Sequence, residues 1–524
     1  MHYFLAHDLG TSSNKAVLTT PDGEIVAATQ VAYPLFAPSP EIAEQDPELW
    51  WEAVARASRE VIAQAGVAAH EVAALAFAGQ MQCTLPVDRD GQPLMRAMIW
   101  LDARALRQSR ALARGWPRIA GYGAAALWRW LRLTNGVPTL SGRDPLAKLL
   151  WLREERPELW RRTHKLLDAK DFLLQRCTGR YVTSYDCGNG SWLMDTRPGR
   201  LGWSAPLLAR LGLDAGRLPE LVPGTAQVGP LLPAAAQALG LRAGLPVVAG
   251  AGDVASMAVG TGSVRDGAVH LAIGTSTWLA AHLPRRARDL RSYIASICSA
   301  HPHKQLLVAH QETGGACIEW ARRALGAALG SGQGPASYKD LDAAAERCEP
   351  GAGGLLFLPW LAGEYAPVDD PWLRGGFVNL GLAHGAGQML RALYEGVALN
   401  ARWALGRFER LLGGPAPCLR FAGGGAASEL WCQILADVCD RPVLQFERPQ
   451  LAAARGAALI AAHSLGRIPE FAQIEALVPG RARYAPRAEL RGLYDERFAL
   501  FLDFHRRNRG FFARANARAA GAPL

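Results

Sequence analysis

The sequence predicts an α/β protein built from two related domains that face each other across a cleft. One reason is length, because 524 residues exceed what a single compact core usually contains. The other is a pattern that occurs twice: an apolar segment, a turn of small polar residues, and a second apolar segment. The turns are Gly10-Thr11-Ser12-Ser13 and Gly274-Thr275-Ser276-Thr277. Backbone amides and hydroxyls in such turns bind anionic oxygens, so two facing turns predict one polyphosphate site.

The composition indicates a globular protein with neither a nucleic-acid nor a membrane partner. Half of the residues are hydrophobic and a fifth are charged. The formal charge is +10, but the arginines are scattered, whereas nucleic-acid proteins usually gather basic residues on one element. We find no uninterrupted apolar run of about 18 residues that would predict a membrane span. Nine scattered cysteines and no visible secretory signal lead us to expect a cytoplasmic protein with free thiols.

The first domain is predicted to begin with a hairpin and to continue with alternating helices and strands. A return strand is expected at residues 25–31, and Asp46 is expected to cap the first helix. A buried strand at residues 72–78 ends in Gly79-Gln80-Met81-Gln82, and a shorter apolar run ends in Trp100-Leu101-Asp102. Polar residues at these strand ends are candidates for a ligand site, because α/β domains expose their sites there.

The remaining elements predict where the domains end. Residues 105–245 suggest helical insertions upon the first domain, after which a strand enters the turn Gly250-Ala251-Gly252-Asp253. We assign residues 1–262 to an N-terminal domain and residues 263–470 to a C-terminal domain. The second domain contains further glycine turns before helices, at Gly314-Gly315 and Gly423-Gly424-Gly425. Residues 471–524 are predicted to form a C-terminal helical extension and tail.

The order of these features resembles that of sugar kinases, actin and heat-shock ATPases, whose duplicated, ribonuclease H-like domains grip ATP in a central cleft. From residue 3 to about 465 the motifs resemble the FGGY family of carbohydrate kinases, and within it the xylulokinases. The matching motifs are Asp8-Leu9-Gly10-Thr11-Ser12-Ser13, Glu44-Gln45-Asp46-Pro47, Gly79-Gln80-Met81, Ile99-Trp100-Leu101-Asp102, Gly250-Ala251-Gly252-Asp253, Gly274-Thr275-Ser276, Leu358-Pro359-Trp360-Leu361-Ala362-Gly363-Glu364, Glu395-Gly396-Val397-Ala398 and Gly423-Gly424-Gly425-Ala426. The resemblance implies ATP-dependent phosphorylation of a sugar hydroxyl, with D-xylulose to D-xylulose 5-phosphate expected first and other ketoses, pentitols or polyols as alternatives.

Two aspartates are the candidates for the chemistry. The resemblance implies that Asp253 is the general base that takes the proton of the attacking sugar hydroxyl. The alternative is that Asp253 only caps a helix. Asp8 is expected to hold Mg²⁺, directly or through water, because Mg²⁺ favours one or two carboxylates plus substrate phosphates. Its alternative role is to close a strand end.

The resemblance places ATP against the glycine turns and the sugar at the strand ends of the first domain. The expected nucleotide-binding residues are Thr11, Ser12, Ser13, Lys15, Gly274, Thr275, Gly315, Gly424 and Gly425. The expected sugar-binding residues are Gln80, Met81, Gln82, Trp100, Asp102, Arg104 and Asp253. Such a set combines hydroxyl partners with an apolar wall. The alternatives are a solvated Lys15, core packing for Met81 and Trp100, and a surface salt bridge for Arg104.

Three residues depart from the usual xylulokinase pattern. Gln82 stands where many members carry His, Cys83 where Gly is usual, and Tyr365 where Arg is common. Glu364 is expected either to clamp its loop or to contact the ligand.

Two other functions remain open at this point: a sugar or nucleotide sensor that keeps the fold, and an ATPase that acts on protein partners. The intact Asp8 and Asp253 disfavour the sensor, and the motifs at residues 79–81 and 100–102 favour a small-molecule site. A homodimer is an open expectation, because dimers are common among relatives.

Overall fold

The computed structural model describes residues 2–329 and 336–517. The strands of the first half are β1 (Tyr3–Leu9), β2 (Ser13–Thr19), β3 (Ile25–Ala32), β4 (Phe36–Ser39), β5 (Ile42–Gln45), β6 (Val72–Gly79), β7 (Leu85–Val87), β8 (Ala97–Met98), β9 (Arg118–Ile119), β10 (Tyr122–Gly123), β11 (Lys165–Leu167), β12 (Val182–Ser184), β13 (Met194–Asp195), β14 (Gly202–Trp203), β15 (Glu220–Val222), β16 (Gln227–Pro230) and β17 (Pro246–Gly252). Its helices are α1 (Pro47–Ala65), α2 (Leu106–Leu112), α3 (Ala124–Thr134), α4 (Pro145–Glu155), α5 (Pro157–Arg162), α6 (Ala169–Thr178), α7 (Tyr185–Gly190), α8 (Ala205–Leu211), α9 (Pro233–Leu239) and α10 (Asp253–Gly260).

The strands of the second half are β18 (Val269–Ile273), β19 (Thr277–Leu283), β20 (Arg288–Asp289), β21 (Ile294–Cys298), β22 (Gln305–Gln311), β23 (Leu356–Leu358), β24 (Gly376–Val378), β25 (Leu419–Ala422), β26 (Val443–Gln445) and β27 (Ala482–Tyr484). Its helices are α11 (Gly315–Leu329), α12 (Tyr338–Glu346), α13 (Ala386–Leu412), α14 (Glu429–Cys439), α15 (Ala452–Ser464), α16 (Ile474–Leu477) and α17 (Arg491–Ala517).

The two large sheets repeat one topology. The first has six strands in the order β16-β17-β6-β1-β2-β3, and the second has eight in the order β20-β21-β22-β19-β18-β25-β26-β27. Each contains an antiparallel meander, β1-β2-β3 or β18-β19-β22, whose first strand pairs in parallel with a strand later in the chain. A further parallel pairing follows, β6 with β17 and β25 with β26. This internal repeat confirms the predicted α/β fold of two duplicated halves.

The first helix begins where its capping residue predicts. Asp46 accepts a hydrogen bond from the backbone amide of Glu48 at 3.0 Å, and Pro47 is the first helical residue. The buried face of α1 includes Trp50, Val54 and Val61 and covers strands β2 and β3. Strand β5 ends at Gln45, directly before α1, and the side chain of Gln45 donates to the carbonyl oxygen of Thr11 just after β1.

Three parallel strands end at one edge of the first sheet. Strand β6 lies between β1 and β17, with Asp8 opposite Ala78 on one side and Gly252 opposite Gly79 on the other. Neighbouring strands are about 4.8 Å apart, so Asp8 and the end of β17 lie about 10 Å from each other along the sheet. The residues that follow β1, β6 and β17 therefore gather at this edge.

A close crossing of α10 and α15 joins the two halves. A Cβ atom placed on Gly260 would lie 1.7 Å from the carbonyl oxygen of Ala452, and one on Gly456 would lie 1.8 Å from that of Ser256. The two backbones therefore touch, and small apolar residues from both sheets surround the crossing. Arg455 adds a hydrogen bond from its Nε to the carbonyl oxygen of Gly260 at 2.8 Å.

The end of the described chain returns to the second half. Strand β27 pairs with β26 at the edge of the second sheet, so the segment predicted as a helical extension also supplies a strand. Helix α17 then packs Tyr494 and Phe501 into the core of the second half. Residues 518–524 of the predicted tail lie outside the described residues.

The cysteines and the longer helices are the features to which the predictions from composition apply. All nine cysteines are free thiols, and seven of them are buried. Within residues 2–329 and 336–517, no helix is both long enough and apolar enough to cross a bilayer.

The helix crossing makes a stability prediction. Gly456→Ala inserts a methyl group where a backbone carbonyl stands, so we expect it to lower the free energy of unfolding by about 1–3 kcal/mol or more. Gly492→Ala is the matched control, because a Cβ atom there would meet no atom within 4 Å. Thermal unfolding of both variants provides the measurement. Equal midpoints for the two variants would show that the crossing tolerates a larger residue.

Candidate active site

The turn after β1 brings together residues predicted for phosphate and for sugar. The amide of Gly10 donates to the carbonyl oxygen of Ser13 at 3.0 Å and closes the turn. Ser12 is exposed at its tip, while the hydroxyl of Thr11 accepts a hydrogen bond from the indole of Trp100 at 2.9 Å. Ser13 is buried and its hydroxyl accepts from Gln30 at 2.8 Å. Thr11 and Ser12 thus remain at the turn, whereas the side chain of Ser13 is engaged with β3.

Asp8 lies directly across the hairpin from Lys15. The Nζ of Lys15 is 3.3 Å from Oδ2 of Asp8. Lys15 is therefore paired with Asp8 and is not the solvated strand residue considered as the alternative. Oδ1 of Asp8 is buried and has no hydrogen-bond partner among the described residues. An unpartnered buried carboxylate oxygen is suited to a cation or its bound water. Within the described ranges, no three His, Cys, Asp or Glu side chains are grouped to hold a metal ion by themselves.

Asp253 is the first residue of α10, at the end of β17. Gly252 occupies the capping position, so the alternative in which Asp253 caps the helix is wrong by one residue. Oδ1 of Asp253 accepts a hydrogen bond from the amide of Val254 at 2.9 Å. Burial, followed by the negative charge of Asp8, raises the pKa of Asp253 to about 7. A carboxylate with such a pKa is suited to accept a proton near neutral pH.

The turn after β6 is tied to the turn after β1. The amide of Gln80 donates to the carbonyl oxygen of Leu9 at 2.8 Å, and its side-chain Nε2 donates to Gln45 at 2.7 Å. Gln45 in turn donates to the carbonyl oxygen of Thr11 at 2.5 Å and accepts from the indole of Trp50 at 3.1 Å. Gln45 therefore connects the two turns with the first helix.

The next two residues, Met81 and Gln82, lie beside the predicted base. A Cβ atom placed on Gly252 would lie 2.4 Å from the sulfur of Met81, so this side chain packs on the end of β17. Gln82 has a φ angle of +65°, which is uncommon for a residue with a side chain. Both side chains lie within contact distance of a Cβ atom placed on Gly190 of α7. Met81 and Gln82 thus lie near Asp253, and the contact of these three residues with a sugar stays a prediction.

The structure also shows supporting residues that the sequence analysis missed. Asp168 accepts hydrogen bonds from the amides of Gln82 at 3.1 Å and Cys83 at 3.0 Å. Asp186 accepts from the amide of Gly252 at 2.6 Å, next to the predicted base. Both aspartates belong to the middle region, for which the sequence analysis named no chemistry. Asp168 directly follows the short strand β11, just as Asp253 follows β17, so an acidic residue at a strand end could have indicated it. Asp186 lies within α7, and no such sequence pattern indicates it.

These supporting aspartates belong to a buried group of charges. Lys170 and Asp171 form an ion pair with an N–O distance of 2.9 Å, and both side chains are almost fully buried. Burial, together with the charge of Asp171, raises the pKa of Asp168 to about 7, and burial also raises the pKa of Asp186. Burial lowers the pKa of Lys148 to about 8, and its Nζ donates to the carbonyl oxygens of Gln82 and Ile99 at 3.0 and 2.6 Å.

Asp102 and Arg104 form an ion pair in which Asp102 is buried and Arg104 is half-buried, so it is not the surface salt bridge considered for Arg104. Asp102 is fully buried and accepts from the amide of Ala43 at 2.9 Å and from Arg104 at 2.6 Å. Arg104 also donates to Glu44 at 2.6 Å. This network anchors β5 beside the turn that contains Trp100. In this geometry the polar atoms of Asp102 and Arg104 are already engaged, and their contact with a sugar stays a prediction.

The second Gly-Thr-Ser turn meets the glycine turn that begins α11. Gly274 and Thr275 are exposed, and the carbonyl oxygen of Gly274 accepts from the amide of Gly315 at 2.7 Å. A Cβ atom on Gly315 would lie 2.4 Å from that oxygen, so only glycine allows this approach. The predicted residues Gly274, Thr275 and Gly315 therefore lie together.

The third glycine turn lies next to the second. Strands β18 and β25 are parallel, so both turns follow strands that end at one edge of the sheet. Gly423 has a φ angle of +84°, and a Cβ atom there would lie 2.5 Å from the carbonyl oxygen of Ile273. In contrast, Cβ atoms on Gly274 and Gly424 would meet no atom within 4 Å. The two turns thus form a floor with open space above it, which fits the predicted nucleotide.

Glu364 and its neighbours connect this floor to the first half. The buried carboxylate of Glu364 accepts from the amides of Glu312 and Tyr365 and from the side chain of Asn400, at 3.1, 2.8 and 2.5 Å. Burial raises its pKa to about 8. These bonds confirm the predicted clamp. The carboxylate of Glu312 faces Arg143 of the first half, with an N–O distance of 3.6 Å.

Of the three residues that depart from the xylulokinase pattern, Gln82 lies in the region of Met81 and Asp253. Cys83 is buried in the core of the first half, and Tyr365 lies near the rings of Tyr293 and His310 in the second half. The departure relevant to a ligand at the first sheet is therefore Gln82.

Comparison with known proteins agrees with this geometry. The family model for the N-terminal domain of the FGGY family of carbohydrate kinases matches residues 3–260, and the model for the C-terminal domain of the same family matches residues 269–465. The xylulose kinase of Escherichia coli (strain K12) is 31% identical over 500 residues, which cover 95% of this chain and 97% of that relative. A gluconokinase of Bacillus licheniformis is 27% identical over 510 residues, with 96% of each chain covered.

Solved structures show the same fold along almost the whole chain. The crystal structure of a xylulose kinase from Rhodospirillum rubrum has a TM-score of 0.83 and 25% identity, and covers 98% of this chain and 100% of its own. That of a xylulose kinase from Lactobacillus acidophilus has a TM-score of 0.85 and 23% identity, with coverage of 98% and 100%. Because the two family models together span most of the chain, this protein belongs to the FGGY family of carbohydrate kinases.

Proposed function

We propose that this carbohydrate kinase transfers the γ-phosphoryl group of ATP to a hydroxyl of D-xylulose and forms D-xylulose 5-phosphate. The observation that carries the proposal is the position of Asp253, a carboxylate with a raised pKa that lies beside the Met81-Gln82 turn and within reach of the charge of Asp8. The 31% identity to a xylulose kinase over nearly the full chain supports the choice of sugar.

The proposed mechanism assigns one task to each group. Asp253 accepts the proton of the attacking hydroxyl, while Thr11 and the exposed residues Ser12, Gly274 and Thr275 hold the phosphates. Asp8, which is positioned by Lys15, would hold Mg²⁺ directly or through water with the oxygen that has no partner among the described residues. The ion, when bound, neutralises the charge that develops on the phosphoryl oxygens.

The domain roles follow the same division. We propose that residues 1–262 bind the sugar, that residues 263–470 bind the nucleotide, and that residues 471–524 form an extension upon the second half. Gly315, Gly424 and Gly425 would receive the ribose and base, because they belong to the glycine turns of this floor and an added Cβ atom on Gly424 would meet open space. Closure of the halves would exclude water, which competes with the sugar as acceptor. A homodimer stays a prediction.

D-Gluconate is the second candidate, because gluconokinases are also similar over the full chain. The charges at the sugar site favour a neutral ligand instead. Lys15 is paired with Asp8, Arg104 with Asp102 and Glu44, and Lys148 donates to two carbonyl oxygens. A carboxylate ligand would therefore meet Asp8 and Asp253 without a free lysine or arginine from this set to balance its charge.

The first prediction here concerns the base. We expect Asp253→Asn to lower kcat by about 10²–10⁴-fold, because a positioned general base contributes that range. Nucleotide affinity should change little. Asp22→Asn, in an exposed turn, is the control for removal of one carboxylate. Coupled measurement of ADP release reports kcat, and a value near that of the unmodified protein would refute the role of Asp253.

The second prediction concerns pH. The base acts in its ionised form, and its pKa is raised to about 7. Activity should therefore be present above pH 7 and should fall about tenfold per pH unit below it. The measurement is kcat/KM for ATP between about pH 5 and pH 9, because this ratio reports the enzyme before the nucleotide and its cation have bound. The residual activity of Asp253→Asn should not show this fall below pH 7. A midpoint near the ordinary aspartate pKa would mean that Asp8 and burial do not act on Asp253 as argued.

The third prediction tests the substrate and the role of Gln82 together. In a panel of D-xylulose, D-gluconate, xylitol and glycerol, we expect D-xylulose to have the highest kcat/KM. Gln82→His should change the ranking of the substrates more than the highest kcat, since a residue that bonds a hydroxyl discriminates among hydroxyl positions. Efficient use of another compound with no use of D-xylulose would replace the proposed sugar. An unchanged ranking in the variant would remove Gln82 from the sugar site but leave the kinase assignment intact.

A further inference from the structure

A cavity lies in the second half of the protein, away from the candidate active site. Its lining contains none of the candidate active-site residues. Its volume is about 620 Å³, which is within the range of small-molecule sites. The cavity lies between the C-terminal part of α13, the end of α14 and α17. Trp403, Phe498 and Leu502 form an apolar part of its wall.

The rest of the wall is strongly basic. Five arginines line the cavity, against three carboxylates from Glu409, Asp440 and Asp495. The arginines are Arg402, Arg407, Arg410, Arg441 and Arg491.

Three of these arginines are already paired with the three carboxylates. Arg441 donates to both oxygens of Glu409 at 2.8 and 3.0 Å. Arg491 pairs with Asp440, and Arg402 pairs with Asp495. The charges of these six groups therefore balance within the cavity wall.

Arg407 and Arg410 are left without such a partner. They lie one turn apart on α13, and neither has a carboxylate within 4.0 Å among the described residues. The charge of Asp289 acts on both arginines, because they contribute to its lowered pKa after its hydrogen bonds from Ser292 and Arg291. Its two oxygens, however, accept hydrogen bonds from the amide of Arg291 and the hydroxyl of Ser292. Two guanidinium groups on one helix face thus retain unpaired donors at this cavity.

We propose that this cavity binds a small phosphorylated anion, with Arg407 and Arg410 as its principal contacts. Guanidinium groups bind phosphate through paired N–H donors, and two adjacent groups favour a ligand with more than one negative charge. The apolar wall at Trp403 and Phe498 accepts the organic part of such a ligand. The site is separate from the proposed nucleotide floor and does not depend on which sugar the kinase uses.

Inorganic pyrophosphate is the probe for the test. Calorimetric titration of the full chain is carried out at about 0.15 M salt, where exposed charges are largely screened. No nucleotide is added to this titration, because a nucleotide is itself a possible ligand of the cavity. We expect one pyrophosphate per chain whose dissociation constant is raised about tenfold or more by the double substitution Arg407→Gln with Arg410→Gln. Pyrophosphate bound at the proposed phosphate turns would not be affected by this substitution. The control is Arg161→Gln with Arg162→Gln, two adjacent exposed arginines on α5, which should bind as the unmodified protein does.

Competition distinguishes the two sources of the phosphoryl group. ADP displaces pyrophosphate better than ribose 5-phosphate if the natural ligand is a nucleotide, and the reverse holds for a sugar phosphate; either result supports the site. The proposal is overturned if pyrophosphate does not bind, or if both double variants bind it equally. It is also overturned if the cavity is covered by a second copy of the chain, which would appear as a dimer that the Arg407 and Arg410 substitutions dissociate without any anion. Thermal unfolding of each variant verifies that it remains folded.

Discussion

The arrangement of the two halves depends on the contact between the backbones of α10 and α15. Because Gly260 and Gly456 have no side chains, the two helices approach until carbonyl oxygens of one touch the Cα atoms of the other. Helix α10 begins with Asp253, and α15 packs against the central strands of the first sheet. The predicted base is thus attached to the joint between the halves.

A second constraint is the burial of charge behind the sugar site. Transfer of a carboxylate from water into a protein interior is costly unless it is hydrogen-bonded or paired. Asp168 and Asp186 meet this requirement with backbone amides of the two turns that carry Gln82 and Gly252. The same bonds hold these turns in place, including the left-handed backbone of Gln82. The middle region of the chain therefore contributes to the site by fixing its geometry.

Much of the fold and part of the site could be predicted from local patterns. Glycine turns between apolar segments identified both hairpins, and the aspartate after a buried strand identified Asp253, because strand ends and turns have strong sequence signals. The positions of Asp186 and Lys148 could not be predicted, since their partners are backbone atoms more than 45 residues away. The partial burial of the Asp102–Arg104 pair also depends on distant residues, the amide of Ala43 and the carboxylate of Glu44, which lie 59 and 60 residues away in the chain. Ser13 shares its turn with Ser12, yet strand pairing with β3 directs its hydroxyl to Gln30.

The two predicted catalytic carboxylates also influence each other. The charge of Asp8 contributes to the raised pKa of Asp253, so a cation held by Asp8 would offset part of this effect and favour ionisation of the base. Lys15 already neutralises one side of Asp8 at 3.3 Å, while its other oxygen stays unpartnered among the described residues. Loading of the phosphate turns and activation of the base would then be coupled through a single carboxylate. The strand register that places Asp8 and Gly252 on opposite sides of β6 is what brings the two groups near enough for this coupling.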